Sequence, residues 1–292
     1  MSKKKLFGRN AIITGANQGL GKEISKMFLI EGANLMLCAR NYDLLKLTKE
    51  ELSQFSEKNQ KLFIKKCDVS DENQVYPFVK EAIEKLGGCQ ILVNNAGTYG
   101  PIGNLEDLNW DQWKKAMETN VYGSVLMCKA IISHFKKQKY GKIIQLSGGG
   151  ATKPLPNFSV YAASKASIVR FSDTLAEEVR NFSIDVNSIA PGALNTKMLQ
   201  KVLDSGPSKV GKNFYENSLH QKKNGGTPLT KGAELAVFLA SSASDGISGK
   251  LISAVWDKWN KWPENLEELL GSDVYTLRRI IGRDRGINWG DV

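Results

Sequence analysis

Histidine is nearly absent from this chain, with His134 and His220 the only two in 292 residues. The four cysteines (Cys38, Cys67, Cys89 and Cys128) show neither C-x-x-C spacing nor histidine pairing, so no metal site and no disulfide framework is expected. Cys38, Cys67 and Cys89 lie in or beside apolar runs, which reads as buried, reduced thiols of a cytosolic protein. No apolar run approaches the ~20 residues that a membrane span needs. The N-terminal residues, Met1 to Arg9, are basic but lack the apolar stretch of a secretory signal. The expectation is a cytoplasmic protein with no membrane contact. Negative charge is also in short supply: 30 acidic side chains stand against 40 Lys and Arg, a net charge of +10. Part of the excess sits in Lys3, Lys4, Lys5 and Arg9, and part in residues 197–231, where seven lysines face only Asp204 and Glu216. No arginine-rich run with interleaved aromatics accompanies it, so no nucleic-acid partner is expected. A solvated basic face, able to attract an anionic cofactor or substrate, accounts for the charge.

What the chain does contain is ordinary for a globular protein, with 41% hydrophobic and 24% charged residues. Its length suits one large α/β domain. The apolar run at residues 10–14 stops at Gly15-Ala16-Asn17-Gln18-Gly19-Leu20-Gly21, and helical periodicity follows through Ile24, Met27, Phe28 and Ile30. A strand, a glycine turn and a helix in that order cradle a pyrophosphate, because glycines admit the phosphate to the backbone and the helix N-terminus faces its charge. A second strand, 34–39, ends at Arg40. Sites that choose NAD place a carboxylate near this point, whereas an arginine suits the 2′-phosphate of NADP, so the pattern favours NADP(H) over NAD(H).

Further strands are expected at 61–67, 90–93, 142–146, 184–189 and 250–253. Helices are expected at 43–57, 71–86, 110–139, 158–181 and 230–241. Strands alternating with helices imply a doubly wound parallel sheet with its ligands at the C-terminal strand ends. Asn120 falls in the middle of the 110–139 helix, where an asparagine is either exposed or given a polar task. Residues 195–228 are polar, lysine-rich and punctuated by Gly206-Pro207, Gly211 and Gly225-Gly226, the composition of a mobile substrate lid. In the 158–181 helix, Tyr161 and Lys165 are four apart and share a face. An ammonium beside a phenol favours the phenolate and lowers the tyrosine pKa, which makes Tyr161 a candidate general acid/base.

These pieces together resemble a short-chain dehydrogenase/reductase of the sequential Tyr-x-x-x-Lys type over roughly residues 6–254. The motifs that carry the likeness are Thr14-Gly15-x-x-x-Gly19-x-Gly21, Asp68, Asn94-Asn95-Ala96-Gly97, Asn120, Tyr161-x-x-x-Lys165, and Pro191-Gly192 with Thr196. The resemblance implies a single Rossmann-like domain, residues 1–254, with a seven-stranded parallel sheet. It implies that Gly15, Asn17, Gln18, Gly19 and Leu20 shape the pyrophosphate turn, with Arg40 beside the adenosine ribose. Asp68 and Val69 would meet the adenine, and Asn95, Ala96 and Gly97 would form the cofactor wall. Pro191, Gly192 and Thr196 would lie near the nicotinamide. Tyr161 would exchange a proton with the substrate, Lys165 would hold the nicotinamide ribose and tune the tyrosine, and Asn120 would support a proton-carrying water.

Two departures stand out. The family's catalytic serine lies about thirteen residues before the tyrosine, which here is Gly148. Ser147 is the candidate donor, provided that Gly148-Gly149-Gly150 rotates it into place; the alternatives are Ser159, a backbone N–H, or impaired chemistry. Gln90 replaces an aspartate common before the Asn-Asn-Ala-Gly strand, with an expected effect on local support only. Residues 255–292 form a C-terminal extension carrying Trp256, Trp259, Trp262, a short helix at 266–270, Leu277 to Ile281, and Trp289. It is expected to dock on its own domain or a neighbouring subunit. The leading functional expectation is an NAD(P)-dependent oxidoreductase, NADP(H)-preferring, that interconverts a ketone and a secondary alcohol. Its substrate would be small and polar, anionic or sugar-like, and the resemblance implies a homodimer or homotetramer. The alternative is a non-catalytic cofactor-sensing or interaction protein on the same scaffold.

Overall fold

The computed structural model describes residues 4–289. Seven strands form: β1 (Asn10–Thr14), β2 (Asn34–Ala39), β3 (Leu62–Lys66), β4 (Ile91–Asn94), β5 (Gly141–Leu146), β6 (Ile184–Ala190) and β7 (Leu251–Ser253). They make one sheet in the order β3-β2-β1-β4-β5-β6-β7. Every neighbouring pair is parallel. This is the expected Rossmann-like sheet. β1, β4 and β5 are buried along their whole length; β1 and β4 accordingly read as apolar runs rather than alternating ones, while β5 carries the buried Gln145 and the buried Lys142, paired with Asp185 and Asp245.

The first five helices are α1 (Gly19–Ile30), α2 (Tyr42–Ser53), α3 (Glu72–Leu86), α4 (Trp110–Met117) and α5 (Gly123–Gln138). They are followed by α6 (Ser159–Val179), α7 (Lys197–Ser205), α8 (Pro207–Val210), α9 (Lys212–Asn224), α10 (Leu229–Ala240) and α11 (Leu266–Leu270). Alternate side chains of each strand feed opposite layers. Ile13, Leu35 and Leu37 pack under α1, α2 and α10. Ile12, Met36, Leu92 and Val186 pack under α3, α5 and α6. Because the chain leaves β3 to re-enter beside β1, the loops after β1 and β4 part company there and open a crevice. Gln90 supplies the local support expected of it, its Oε1 accepting from the Asn10 N–H at 2.9 Å.

One expectation needs correction. The 110–139 helix is not continuous: a wide π-type turn at Glu118–Tyr122 separates α4 from α5, and Asn120 lies within it, buried. Such turns insert one residue and are frequent at functional sites. The 195–228 segment, the expected lid, folds into α7, α8 and α9. Its lysines are exposed, while Val202 and Val210 join Ile102 and Phe158 in a small apolar cluster. Gly206 and Gly211, with φ of +76° and +85°, make the two sharp bends between these helices. The extension packs on its own chain. Trp262 and Leu269 are buried in the α10-side core, and the Trp259 ring lies 5.1 Å from that of Phe238. The Tyr275 carbonyl accepts from the Leu251 N–H at 2.7 Å, so the extension covers the otherwise open edge of β7. No helix among the described residues is long and apolar enough to cross a membrane. Among the described residues no cluster of His, Cys, Asp or Glu could hold a metal, and all four cysteines are free and buried.

Candidate active site

A cleft of about 1280 Å³ opens above the C-terminal strand ends. Its floor near α1 is a backbone construction. The Thr14 hydroxyl, at the end of β1, accepts from the N–H groups of Asn95 and Ala96, each at 3.0 Å. The Asn95 side chain returns to donate to the carbonyls of Thr14 and Gly15, also at 3.0 Å. This stitching leaves no room for side chains: a Cβ on Gly21 would lie 2.3 Å from Asn95 Nδ2 and 2.5 Å from the Gly15 carbonyl. Gly15 and Gly19 have φ of +61° and +54°, the left-handed region glycine tolerates. The start of α1 has no side-chain cap. Asn41, Asn109 and Thr196 cap α2, α4 and α7 with their own side chains, whereas Gln18 is extended and offers α1 no such bond. The first-turn N–H groups of α1 therefore face the cleft uncapped, with the positive end of the helix dipole behind them. That is a fit for a dinucleotide pyrophosphate. Asn17, Gln18, Gly19 and Leu20 all line this part.

Farther along, Arg40 lines the rim just beyond β2, exposed and without a direct ion-pair partner among the described residues. Val69 and Cys67 form the wall opposite, but Asp68 does not reach it. Its carboxylate instead accepts from the Ser70 N–H at 3.0 Å and the Ser70 hydroxyl at 2.7 Å. Burial acts to raise its pKa, but these bonds and the charges of Arg40 and Lys115 outweigh it and hold the carboxyl below its usual range. Asp68 thus shapes the turn that presents Val69. Ala96 and Gly97 continue the wall from β4, and Pro191, Gly192 and Thr196 continue it from β6. Thr196 Cγ2 would lie 3.4 Å from a Cβ on Gly19, so the α1 turn and the α7 start form opposite lips.

Tyr161 and Lys165 reach the same cleft from α6. Lys165 is buried, and its ammonium donates to the Leu146 carbonyl at 2.6 Å. With no carboxylate beside it, desolvation brings its pKa down to about 8. The lowered tyrosine pKa expected from the sequence is not found. Burial, with a smaller contribution from Tyr99, raises the Tyr161 pKa, and the Lys165 ammonium is turned to Leu146. Asn120 lies beneath rather than on the wall. Its amide accepts from the Thr98 N–H and donates to the Thr98 carbonyl, both at 2.8 Å, and donates to the Ser164 hydroxyl at 2.9 Å. A Cβ on Gly97 would meet Asn120 Oδ1 at 3.4 Å and Lys165 Nζ at 3.5 Å, so all three converge around that glycine.

Ser147 makes no hydrogen bond to Tyr161. It contributes to the wall, but its hydroxyl is sealed from solvent and has no hydrogen-bond partner, and the same holds for the Ser159 hydroxyl. The space a serine at position 148 would need is taken, since a Cβ there would lie 2.6 Å from the Tyr161 hydroxyl oxygen. Sequence reasoning missed the aromatic end of the cleft, where Tyr99, Leu155 and Phe214 line the wall around Tyr161. Phe214, Ser218 and Gln221, spaced i, i+4, i+7, present one face of α9 to it, a periodicity legible in the sequence. Tyr99 sits two residues after the Asn-Asn-Ala-Gly motif and carried no signal of its own. From the extension, Trp256 and Asp257 border the cleft.

This arrangement has counterparts among known proteins. Residues 9–206 match the model of the short chain dehydrogenase family. The chain is 30% identical over 255 residues to 7alpha-hydroxysteroid dehydrogenase of Escherichia coli (strain K12), covering 85% of this chain and 93% of that one. It is 34% identical over 248 residues to oxidoreductase UcpA of Salmonella typhimurium, covering 84% and 92%. Among solved structures, a short-chain type dehydrogenase/reductase from Mycobacterium marinum superposes with a TM-score of 0.75 at 26% identity, covering 86% of this chain and 95% of that one. Family model, relatives and sheet order agree with the uncapped α1 turn and the buried lysine beside a tyrosine: this chain belongs to the short-chain dehydrogenase/reductase family, whose enzymes are oxidoreductases that use NAD(H) or NADP(H).

Proposed function

We propose that this enzyme interconverts a ketone and a secondary alcohol, with Tyr161 as the proton-transfer residue. The observation that carries the reading is the placement of Tyr161 on the cleft wall next to the desolvated Lys165 ammonium, between the pyrophosphate cradle and the aromatic end. A bound nicotinamide supplies or takes up the hydride. Gly15, Asn17, Gln18, Gly19 and Leu20 hold the pyrophosphate, Val69 and the turn set by Asp68 receive the adenine, and Asn95, Ala96 and Gly97 back the cofactor. Pro191, Gly192 and Thr196 flank its nicotinamide end. Lys165 binds the nicotinamide ribose, and its positive charge favours the phenolate that Tyr161 becomes once its proton has left. Asn120 fixes the Thr98 backbone and, through Ser164, the helix that carries the tyrosine. NADP(H) is preferred, because the Arg40 cation lines the ribose rim and, among the described residues, no carboxylate lines it.

The substrate is small. Its apolar face rests on Tyr99, Leu155 and Phe214, and its polar, anionic or sugar-like part meets Ser218, Gln221 and Lys153. Of the seven lysines in 197–231 only Lys197 lines the cleft, so most of that charge acts at long range on an approaching anion. We infer a homodimer or homotetramer in the cytoplasm. The exposed Leu105, Trp110 and Tyr122 around α4 support association and the four free thiols support the compartment; light scattering that shows a monomer at every concentration would remove the oligomer.

The test is NADPH oxidation with a panel of neutral and anionic ketones. The expected result is turnover by the wild type and, for Tyr161→Phe, a fall in kcat of about 10²- to 10⁴-fold with NADPH affinity retained. A wild type that binds NADPH but reduces no ketone, or a Tyr161→Phe variant as active as the wild type, would favour the non-catalytic cofactor-sensing reading instead.

A further inference from the structure

We propose that Tyr99 donates the second hydrogen bond to the substrate oxygen, in place of the serine hydroxyl that this chain lacks at position 148. The inference rests on the ketone/alcohol reading above. The serine positions beside Tyr161 do not supply that hydrogen bond. Gly148 has none, and its Cβ space is filled by the Tyr161 hydroxyl, so a serine there could not coexist with Tyr161 as placed. The hydroxyls of Ser147 and Ser159 are sealed off from the cleft. Tyr99 has a phenol on the cleft wall, and the structure gives its hydroxyl no hydrogen-bond partner among the described residues. Its ring meets the Tyr161 ring edge-on, with centroids 4.6 Å apart at 65°. Phe158 holds the Tyr99 ring from another side, 5.3 Å away. The two phenols are close enough that charge on Tyr99 raises the Tyr161 pKa.

The backbone on both sides of Tyr99 is pinned, which accounts for three otherwise separate observations. Thr98 is gripped at its N–H and its carbonyl by the buried Asn120 amide, each bond 2.8 Å long. Gly100 has φ +72°, and a Cβ on it would lie 2.7 Å from Ala116 Cβ and 2.8 Å from Val160 Cγ1. The Gly100 carbonyl accepts from the Lys201 ammonium at 2.7 Å, a bond that reaches across from α7. A donor whose neighbours are fixed in this way is preorganised, and preorganised donors stabilise developing charge without rearranging during the reaction. In the reducing direction hydride adds to the carbonyl carbon, and the C=O π pair moves onto oxygen. Tyr161 gives that oxygen its proton and becomes a phenolate. Tyr99 keeps its proton and shares it with the same oxygen through a hydrogen bond. Oxidation runs the same steps in reverse.

The experiment is Tyr99→Phe, which retains the ring contacts with Phe158 and Tyr161 and removes only the hydroxyl. With NADPH and whichever ketone of the panel the wild type turns over fastest, kcat should fall by about 10²-fold, the usual cost of losing one such donor. KM, NADPH affinity and the melting curve should stay close to wild type. Lys201→Met, which frees the Gly100 carbonyl without touching the cleft wall, should give a smaller loss of the same kind, restored in part by Lys201→Arg. A Tyr99→Phe enzyme with kcat within about twofold of wild type overturns the proposal, as does a loss confined to KM. Ser147→Ala losing as much kcat as Tyr99→Phe overturns it in favour of Ser147. A wild type that reduces no ketone takes the proposed activity down first and this role with it. That failure shows in the wild type, whereas failure of the Tyr99 assignment alone shows only in the variant.

Discussion

At the α1 end of the cleft the wall is backbone: glycines at positive φ, an uncapped helix start, and an asparagine that ties one strand end to another. At the other end it is side chains, brought in by the loop after β4, by α6 and by α9, and held by aromatic edges rather than by a ladder of main-chain bonds. The two ends bind different kinds of thing. A pyrophosphate has one shape and one charge, and main-chain N–H groups at a fixed helix start match it whichever enzyme they belong to. A substrate varies, and side chains on surface helices can be exchanged without disturbing the sheet. The difference teaches where each end is fragile. The cradle fails when an atom is added; the aromatic end, where a Cβ on Gly148 or Gly100 would also clash, fails in addition when one is taken away.

The sharpest way to break that contrast is to add one methyl to each end. Gly21→Ala forces a Cβ against Asn95 and the Gly15 carbonyl, and a backbone oxygen cannot swing aside. Overpacking costs about 1–3 kcal/mol where neighbours adjust; here the loss should lie at the top of that range or above, with NADPH binding abolished. Gly149→Ala, on the substrate side, meets nothing within 4 Å and should change stability by less than about 0.5 kcal/mol. Urea denaturation and NADPH fluorescence titration measure both. A Gly21→Ala protein with wild-type affinity would show that the cradle is softer than its contacts indicate.

A middling effect is expected at the rim between the two ends. Arg40→Asp replaces the cation with the carboxylate that suits a ribose hydroxyl and repels a 2′-phosphate. Charge-assisted hydrogen bonds contribute about 1.5–3 kcal/mol, so the ratio of NADPH to NADH affinity should fall at least about tenfold. An unchanged ratio would mean that Arg40 stands on the rim without reading the phosphate.

The same contrast explains what could be read without coordinates. β2 and β4 were legible because a strand buried on both faces reads as an apolar run, and the glycine turn was legible because its φ angles and close contacts leave few residue choices. Tyr161 and Lys165 followed from helical spacing. What was not legible depends on convergence of distant segments. Tyr99 announces nothing until the ring of Tyr161 is seen beside it. The lysines of 197–231 looked like a substrate-facing charge, yet helix formation turns nearly all of them away and brings Phe214 in. The π-type turn around Asn120 hides inside a pattern that reads as one helix, because a single inserted residue shifts the periodicity too little to notice. The direction of the Tyr161 pKa shift was misjudged for a related reason. Spacing places an ammonium near the phenol but says nothing of how deeply both are buried, and burial dominates here.

The smallest effect concerns the buried ammonium on which the substrate end depends. Desolvation brings the Lys165 pKa down to about 8 in the folded chain, from the ordinary value of 10.5. Below about 8 the folded and unfolded chains both hold the proton, and the full cost of burying the charge is present. Between about 8 and 10.5 the unfolded chain alone holds it, so it binds more protons than the folded one and stability rises with pH across that window. Above it the cost is gone. Lys165→Met removes the group, so its stability advantage over the wild type should be greatest near neutral pH and shrink as the pH is raised. Comparing urea midpoints of the two proteins at about pH 7.5 and pH 9.5 isolates this residue, because the two proteins differ at no other position. Ribose hydroxyls of a bound cofactor would give the ammonium the acceptors it lacks beyond Leu146, so saturating NADPH should flatten the wild-type slope. If the gap between the two proteins does not change with pH, the ammonium is not desolvated. The substrate end would then be as forgiving of charge as any surface, and the contrast between the two ends would reduce to one of shape.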